Sequence, residues 1–492
     1  MAGGSPAGLP ATLKKAAAEC GVDPGAVTVS VVALDGLRMP EGGNMPVVRP
    51  LLAVNADRLV SPASTAKLVT TLAGLELLGA DWRWTTGFYA LTRPDARGRV
   101  GGVWLRGGGD PTLVAEKFGM LVERMARMGV RRIEGDLTVD RSYFDMPAGD
   151  PAAFDGRGSR PYNLLPDAAA AGYRSLSFEF VPDEASGVAR IVGAPSLSGL
   201  EVPETIKLSP GGCGDWKEAI GYRLEPLSDG RLAARFDGAL PLACGAKTFS
   251  VVSLSRNEYL ERLFREYWER DGRTWTGRVV EGRMPEGALK LAEVKSDALP
   301  VVTALVNKWS NNLIARHIFL TLGTLRHAPA PDAGGKTAAA ASEKAFEPVK
   351  KAGPGVTIAD ARAVLAGWLA EKGVPDGAVM IDNGSGLSRT SRVTARAMTQ
   401  ILAAGWLSPR MTEYAASLPV SGVDGTMRKR LEAAGRTHLK TGYLQDVRSI
   451  GGYVYARNGR RYALYASVHG ERNMAGGIKF LDRVVEWTYL QK

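Results

Sequence analysis

Apolar positions fall into helix-like and strand-like registers in separate blocks of the chain. Residues 10–20 carry the texture of a short helix, and Val27–Leu34 alternates as a strand that Asp35-Gly36 closes. Ser61-Pro62-Ala63-Ser64-Thr65-Ala66-Lys67 then leads into Leu68, Leu72, Leu75 and Leu78. That spacing of three and four predicts a helix with a buried stripe, Ser61 as its N-cap and Pro62 at its first position. Ser64 falls in the first turn of this helix.

The texture changes from about Trp84. Strand-like runs at Val100–Arg106, Ile133–Val139, Ser175–Val181, Val188–Val192, Phe249–Leu254 and Val279–Met284 alternate with Gly-rich turns. Helices are expected near Leu113–Met128 and Arg256–Arg270. Helical texture returns over Leu299–Leu325, and residues 328–355, rich in Ala, Pro, Gly and Lys, read as a solvated or partly disordered loop. Helices continue to about Ala434; then come strands Leu439–Gly442, Ile450–Ala456 and Arg461–Val468, the last two joined through Asn458-Gly459, and an amphipathic helix over Gly477–Tyr489. The first strand, this hairpin and the last helix read as one antiparallel sheet with its cover. The expectation is a mixed α/β (α+β) fold. Residues 1–85 and 286–492 form one domain, and residues 86–285 are a mostly β insertion, as one or two subdomains. No repeat period is evident.

With 45% hydrophobic and 23% charged residues over 492 positions, the chain is globular and long enough for about two to four domains. A net charge of +11 favours anionic partners. The excess Arg is scattered, without a Lys/Arg run interleaved with aromatics, which argues against nucleic acid. The three cysteines are Cys20, Cys213 and Cys244. Either Cys213 and Cys244, which flank a Gly/Pro-containing stretch, form a disulfide, or all three are buried thiols in a reducing compartment. His317, His327, His438 and His469 are scattered and no Cys-x-x-Cys occurs, so no metal site is expected. No apolar run approaches transmembrane length. The opening MAGGSPAGLPATLKK lacks the basic start and apolar core of a signal peptide. The protein is therefore expected to be cytoplasmic or to have had a leader removed.

Three short motifs carry candidate chemistry. Ser64 and Lys67, three apart on a helix, share a face. A serine hydroxyl needs a base beside it. A lysine, with an ordinary pKa of about 10.4, becomes one when desolvation and a second cation lower that value; Lys440 is the candidate cation. Alternatively, Ser64 caps a turn and Lys67 is solvated. Ser310-Asn311-Asn312 lies between two helical stretches. There Ser310 can relay a proton while Asn312 orients Lys67 and substrate. Ser255-Arg256-Asn257 fits the same pattern, but within the insertion. Lys440-Thr441-Gly442, on a short strand, offers a cation and a hydroxyl for a carboxylate, and a glycine that lets substrate near the backbone. A strand end with a solvated lysine is the plainer reading of that tripeptide alone. In this order the three form the motif set of penicillin-recognising serine enzymes.

Around them the chain resembles the class C low-molecular-mass penicillin-binding proteins, the D-alanyl-D-alanine carboxypeptidase/endopeptidase group (peptidase family S13). Asn383-Gly384-Ser385-Gly386-Leu387-Ser388-Arg389 resembles the family's GSGLSR stretch, Leu418–Met427 its LPVAGVDGTL segment, and Gly109-Asp110-Pro111-Thr112-Leu113 its GGDPTL loop. The resemblance implies a DD-peptidase/β-lactamase-like catalytic domain with a large insertion. It implies that Ser64 attacks a D-Ala–D-Ala or D-Ala–diaminopimelate carbonyl, that Lys67 is the base, and that Ser310 returns the proton. Lys440 and Thr441 would hold the terminal carboxylate, with Gly442 alongside. The N–H groups of Ser64 and Tyr443 would form the oxyanion hole. Two positions depart from the pattern: Tyr443 stands where relatives usually carry Ser or Thr, and Asp446 where a glycine is expected. Arg389 would meet the peptide or pair structurally. The resemblance implies no metal or organic cofactor. It implies peptidoglycan peptides as substrates, β-lactams as covalent inhibitors, a periplasmic location with the leader removed, and a Cys213–Cys244 disulfide. The competing readings are a Ser-His-Asp hydrolase, a serine β-lactamase, and a non-catalytic module binding an acidic wall polymer.

Overall fold

The computed structural model describes residues 8–38, 48–326, 355–431 and 435–491. The expected loop 328–355, apart from Gly355, lies outside them, as does His327. Two compact units result. One gathers the described residues up to Arg83, those from Asp297 to 326, and those from Val356 onward; the other comprises Trp84–Ser296 and Gly355.

The first unit is built on a five-stranded antiparallel sheet, ordered Pro50–Val54, Val27–Ala33, Arg461–His469, Val447–Tyr455, Thr437–Leu444. Alternation along the first central strand sends Val27, Val29 and Val31 to one face. There they meet Leu13 and Ala17 of the Ala11–Cys20 helix and Phe480, Leu481, Val484 and Val485 of the Met474–Tyr489 helix. The opposite face bears polar groups matched across the packing: Ser30 Oγ lies 2.8 Å from Thr399 Oγ1 on the Ala395–Leu407 helix, and Tyr453 donates to the Leu402 carbonyl at 2.8 Å. Covered on both faces, the hairpin strands are buried almost throughout, which explains their near-continuous apolar reading.

The Ala66–Leu77 helix departs from expectation. Instead of a stripe, every residue from Ala66 to Leu75 is buried. Its hydroxyls turn to carbonyls, Thr71 to Lys67 and Thr70 to Gly384, both at 2.7 Å. Nor does Ser61 cap it. Ala63 adopts a left-handed φ of 48°, so the chain enters through a tight turn over Ala63–Thr65. The Ser61 hydroxyl lies only within 3.5 Å of the Ala63 N–H.

In the second unit, the helices Ala115–Arg127 and Arg256–Trp268 accompany sheets of five, three and seven strands. The expected strands at 100–106 and 133–139 are each broken in two: Arg99–Val100 and Arg132–Ile133 join the small sheet, while Val103–Gly107 and Leu137–Asp140 pair in the five-stranded one. The return to the first unit falls at Asp297 rather than 286, because Leu289–Lys295 pairs antiparallel with Thr85–Ala90. Cys213 and Cys244 are bonded here, closing a 31-residue separation, and Cys20 is free.

Candidate active site

Backbone geometry sets the turn that carries Ser64. Gly386 (φ 78°) packs so tightly over Ala63 that a Cβ on it would stand 1.8 Å from the Ala63 carbonyl oxygen. Gly442, on the Thr437–Leu444 strand, approaches from another side: its Cβ would fall 3.0 Å from both Ala63 Cβ and the Pro62 carbonyl. That carbonyl accepts from Thr65 Oγ1 (2.5 Å) and Ser449 Oγ (2.7 Å). Ser64 is thus fixed between the 384–387 loop and the last strand of the sheet.

Lys67 is fully buried. Its Nζ lies 3.0 Å from Ser64 Oγ, 2.7 Å from Asn312 Oδ1 and 2.5 Å from the Ser385 carbonyl oxygen. The latter two can only accept. Burial, then the charge of Lys440, then that of Arg316, hold the Lys67 pKa well below its ordinary value. A neutral amine keeps two N–H bonds and one lone pair; the two obligate acceptors take the N–H bonds and the lone pair is left for the Ser64 hydroxyl proton.

The loop that supplies the Ser385 carbonyl is self-bonded. Asn383 Oδ1 accepts from the Ser385 N–H (3.1 Å) and Oγ (2.8 Å), and Asn383 Nδ2 donates to the Leu387 carbonyl (3.0 Å). Short strands Val379–Met380 and Arg392–Val393 close its base, and Val393 pairs with Val60 just ahead of the Ser64 turn. This third Lys67 partner was missed by the sequence reading. A backbone carbonyl has no residue signature, although the GSGLSR resemblance marked the place. Arg389 stands exposed in the same loop, its carbonyl accepting from Arg392 at 2.9 Å.

Ser310 is where the helices Leu299–Trp309 and Asn312–Leu322 meet. It takes φ 59°, ψ 33°, ending one helix, and Asn311 caps the next by accepting from the Ile314 N–H at 3.0 Å. The kink lets Asn312 reach Lys67 while Ser310 Oγ accepts from Lys440 Nζ at 3.0 Å. Ser255, the alternative, caps the Arg256–Trp268 helix in the other unit through the Glu258 N–H (3.2 Å).

Lys440 is fully buried, and burial brings its pKa down to about 7. It also donates to the Thr441 carbonyl at 2.6 Å. The Thr441 hydroxyl donates to Thr426 Oγ1 at 2.9 Å, a contact that the sequence motifs did not assign. Thr426 is placed by the Leu418–Met427 segment, which Lys308 grips through Asp424 Oδ2 (2.6 Å) and the Leu418 carbonyl (2.7 Å). Along the outer side of the Thr437–Leu444 strand, pairing from residues 419–421 reaches Leu439. Tyr443 points outward, 65% exposed. Two of the histidines face elsewhere: His438 Nδ1 lies 2.9 Å from the Ala415 carbonyl, and His469 Nε2 2.9 Å from Ser467 Oγ.

A serine beside a buried lysine, joined to a Ser-x-Asn turn and a Lys-Thr-Gly strand, is an arrangement for acyl transfer to serine. The model for the D-Ala-D-Ala carboxypeptidase 3 (S13) family matches residues 47–347 and 343–487. The chain belongs to this family. It is 29% identical over 413 residues, 80% of its length and 70% of the relative's, to a D-alanyl-D-alanine carboxypeptidase of Actinomadura sp. (strain R39). The crystal structure of penicillin binding protein 4 (dacB) from Haemophilus influenzae matches with a TM-score of 0.69 at 17% identity, covering 97% of this chain and 99% of that one. The same protein complexed with a novel β-lactam matches at 0.68 and 18%, covering 98% and 100%. The mixed α/β architecture of this S13 member is the fold of those structures.

Proposed function

We propose that this S13 member is a penicillin-sensitive serine peptidase that cleaves D-Ala–D-Ala, and D-Ala–diaminopimelate cross-links, in peptidoglycan stem peptides. The observation that carries this reading is the buried Lys67 amine, 3.0 Å from Ser64 Oγ with its other bonds engaged by Asn312 and Ser385. In the proposed reaction the Ser64 oxygen bonds to the scissile carbonyl carbon as its proton passes to Lys67. The N–H groups of Ser64 and Tyr443 receive the developing oxyanion. Collapse breaks the C–N bond, and the proton reaches the departing amine through Ser310. Water then hydrolyses the ester and Ser64 regains its proton. Lys440 and Thr441 hold the terminal carboxylate. A β-lactam would follow the same first step and leave slowly. The substrate places the protein outside the cytoplasmic membrane, in the periplasm. An oxidising compartment suits the Cys213–Cys244 bond. No helix among the described residues is long and apolar enough to cross a membrane.

The test is release of D-alanine from a peptide ending in D-Ala–D-Ala. Native protein releases it, Ser64→Ala does not, and joint replacement of His317, His327, His438 and His469 leaves the Ser64 reaction in place. No release by the native protein, or release that depends on a histidine and not on Lys67, overturns the proposal. Rapid hydrolysis of a penicilloyl-enzyme would favour a β-lactamase instead.

A further inference from the structure

Tyr443 and Arg448 stand directly opposite each other on the paired strands Thr437–Leu444 and Val447–Tyr455. The guanidinium carbon lies 3.5 Å from the centroid of the Tyr443 ring. Arg448 is only 6% exposed; it donates to the carbonyls of Leu444 and Val447, and its Nε is buried without a partner among the described residues. A buried guanidinium with an unused N–H is costly, and the ring lying over its face offsets part of that cost. The ring itself stays 65% exposed, its outer face open. Alternation along the strand puts Tyr443 on the same face as Thr441, about 6–7 Å further on.

We propose that Tyr443, held by Arg448, is the leaving-group wall of this peptidase. It favours a departing D-amino acid with a long aliphatic side chain, the cross-linking diamino acid, over D-alanine. The inference rests on the proposed role of Thr441 and Lys440 in holding the terminal carboxylate. With that carboxylate at Thr441, the substituents of the departing residue lie toward the next side chain on the same face. D-Alanine offers a methyl there, whereas a diamino acid offers a run of methylenes that an open aromatic face covers. A Ser or Thr at 443 would offer a hydroxyl and little apolar area. Arg448 touches no substrate. It is a positioning residue that fixes the ring before binding, so that less freedom is lost when substrate arrives.

The experiment measures kcat/KM on a D-Ala–D-Ala peptide and on a cross-linked dimer with a D-Ala–diaminopimelate bond, and takes their ratio. Tyr443→Thr should lower the dimer-to-peptide ratio about tenfold, the scale of a few covered methylenes. Tyr443→Phe should keep it. Arg448→Met should lower it mainly through the KM of the dimer, and Arg448→Lys, which keeps a cation under the ring, should recover part of the loss. A ratio unmoved in Tyr443→Thr, or lost equally in Tyr443→Phe, overturns the proposal. If native protein fails to form a penicillin adduct on Ser64, it is the acyl-enzyme reading that falls.

Discussion

Lys67 Nζ lies 3.0 Å from Ser64 Oγ, and which of the two gives the proton is decided by Lys67's other neighbours. An ammonium group would spend three N–H bonds on Ser64, Asn312 and Ser385. Burial and the two nearby cations Lys440 and Arg316 disfavour that form. In the neutral form the acceptors Asn312 Oδ1 and the Ser385 carbonyl take both N–H bonds, so the serine hydroxyl is the donor. The ground state is already arranged for proton abstraction.

Removing the base should therefore slow acylation far more than it weakens binding. Lys67→Ala is expected to lower the penicillin acylation rate constant by about 10²–10⁴-fold, the usual contribution of a positioned base. Asn312→Ala, which frees one Lys67 N–H, should cost less, about tenfold. Stopped-flow acylation checks both. A Lys67→Ala protein acylated within twofold of the native rate contradicts the assignment.

If Lys440 holds the terminal carboxylate as proposed, substrate binding should depend on pH. Its folded pKa is about 7. Below that value it is a cation facing the site; above it the amine is neutral. KM for peptides with a free terminal carboxylate should rise as pH passes about 7, less steeply once the bound carboxylate pulls the pKa upward, while C-terminal amides should show no such rise. Stability should move the other way. The unfolded lysine, at 10.5, holds a proton that the folded one has lost, so this group's contribution rises with pH from about 7 to 10.5. Thermal unfolding across that window should show a steeper slope in native protein than in Lys440→Met, where Lys67, also held below its ordinary value, still contributes.

Gly386 should be irreplaceable for a steric reason. An alanine there would need a φ of 78° and would drive its Cβ into the Ala63 carbonyl. The expected loss is about 1–3 kcal/mol of stability, together with slower acylation as the Ser64 turn shifts. Denaturant unfolding and acylation rates of Gly386→Ala test this; a variant as stable and as fast as native refutes it.

The disulfide should matter to one unit alone. Bridging residues 31 apart, Cys213–Cys244 is expected to contribute about 3–4 kcal/mol by restricting the unfolded chain. Replacing both cysteines by alanine should lower the unfolding transition of Trp84–Ser296 and leave the penicillin acylation rate within about twofold. An unchanged transition, or lost acylation with the first unit still folded, counts against this.

What was legible in the sequence follows from where the signal resides. The Ser64 helix and the terminal hairpin carry dense apolar patterns, and Asn458-Gly459 carries turn chemistry, so each was visible. Strands Thr205–Ser209 and Ile220–Pro226 were not, because they are half exposed and owe their form to pairing with Leu232–Pro241. Ser64, Lys67, Ser310, Asn312 and Lys440 could be named from side-chain chemistry. The Ser385 carbonyl and the left-handed turns at Ala63 and Ser310 are backbone features, which residue types do not announce. Thr426 was hidden because its role depends on meeting Thr441, fifteen residues away.

The most direct test of the account is the intact mass of the protein after incubation with a penicillin. The native chain should gain one penicillin mass, located on the peptide that contains Ser64, and Ser64→Ala should gain nothing. A native protein that stays unmodified, or an adduct that persists in Ser64→Ala, contradicts the central claim.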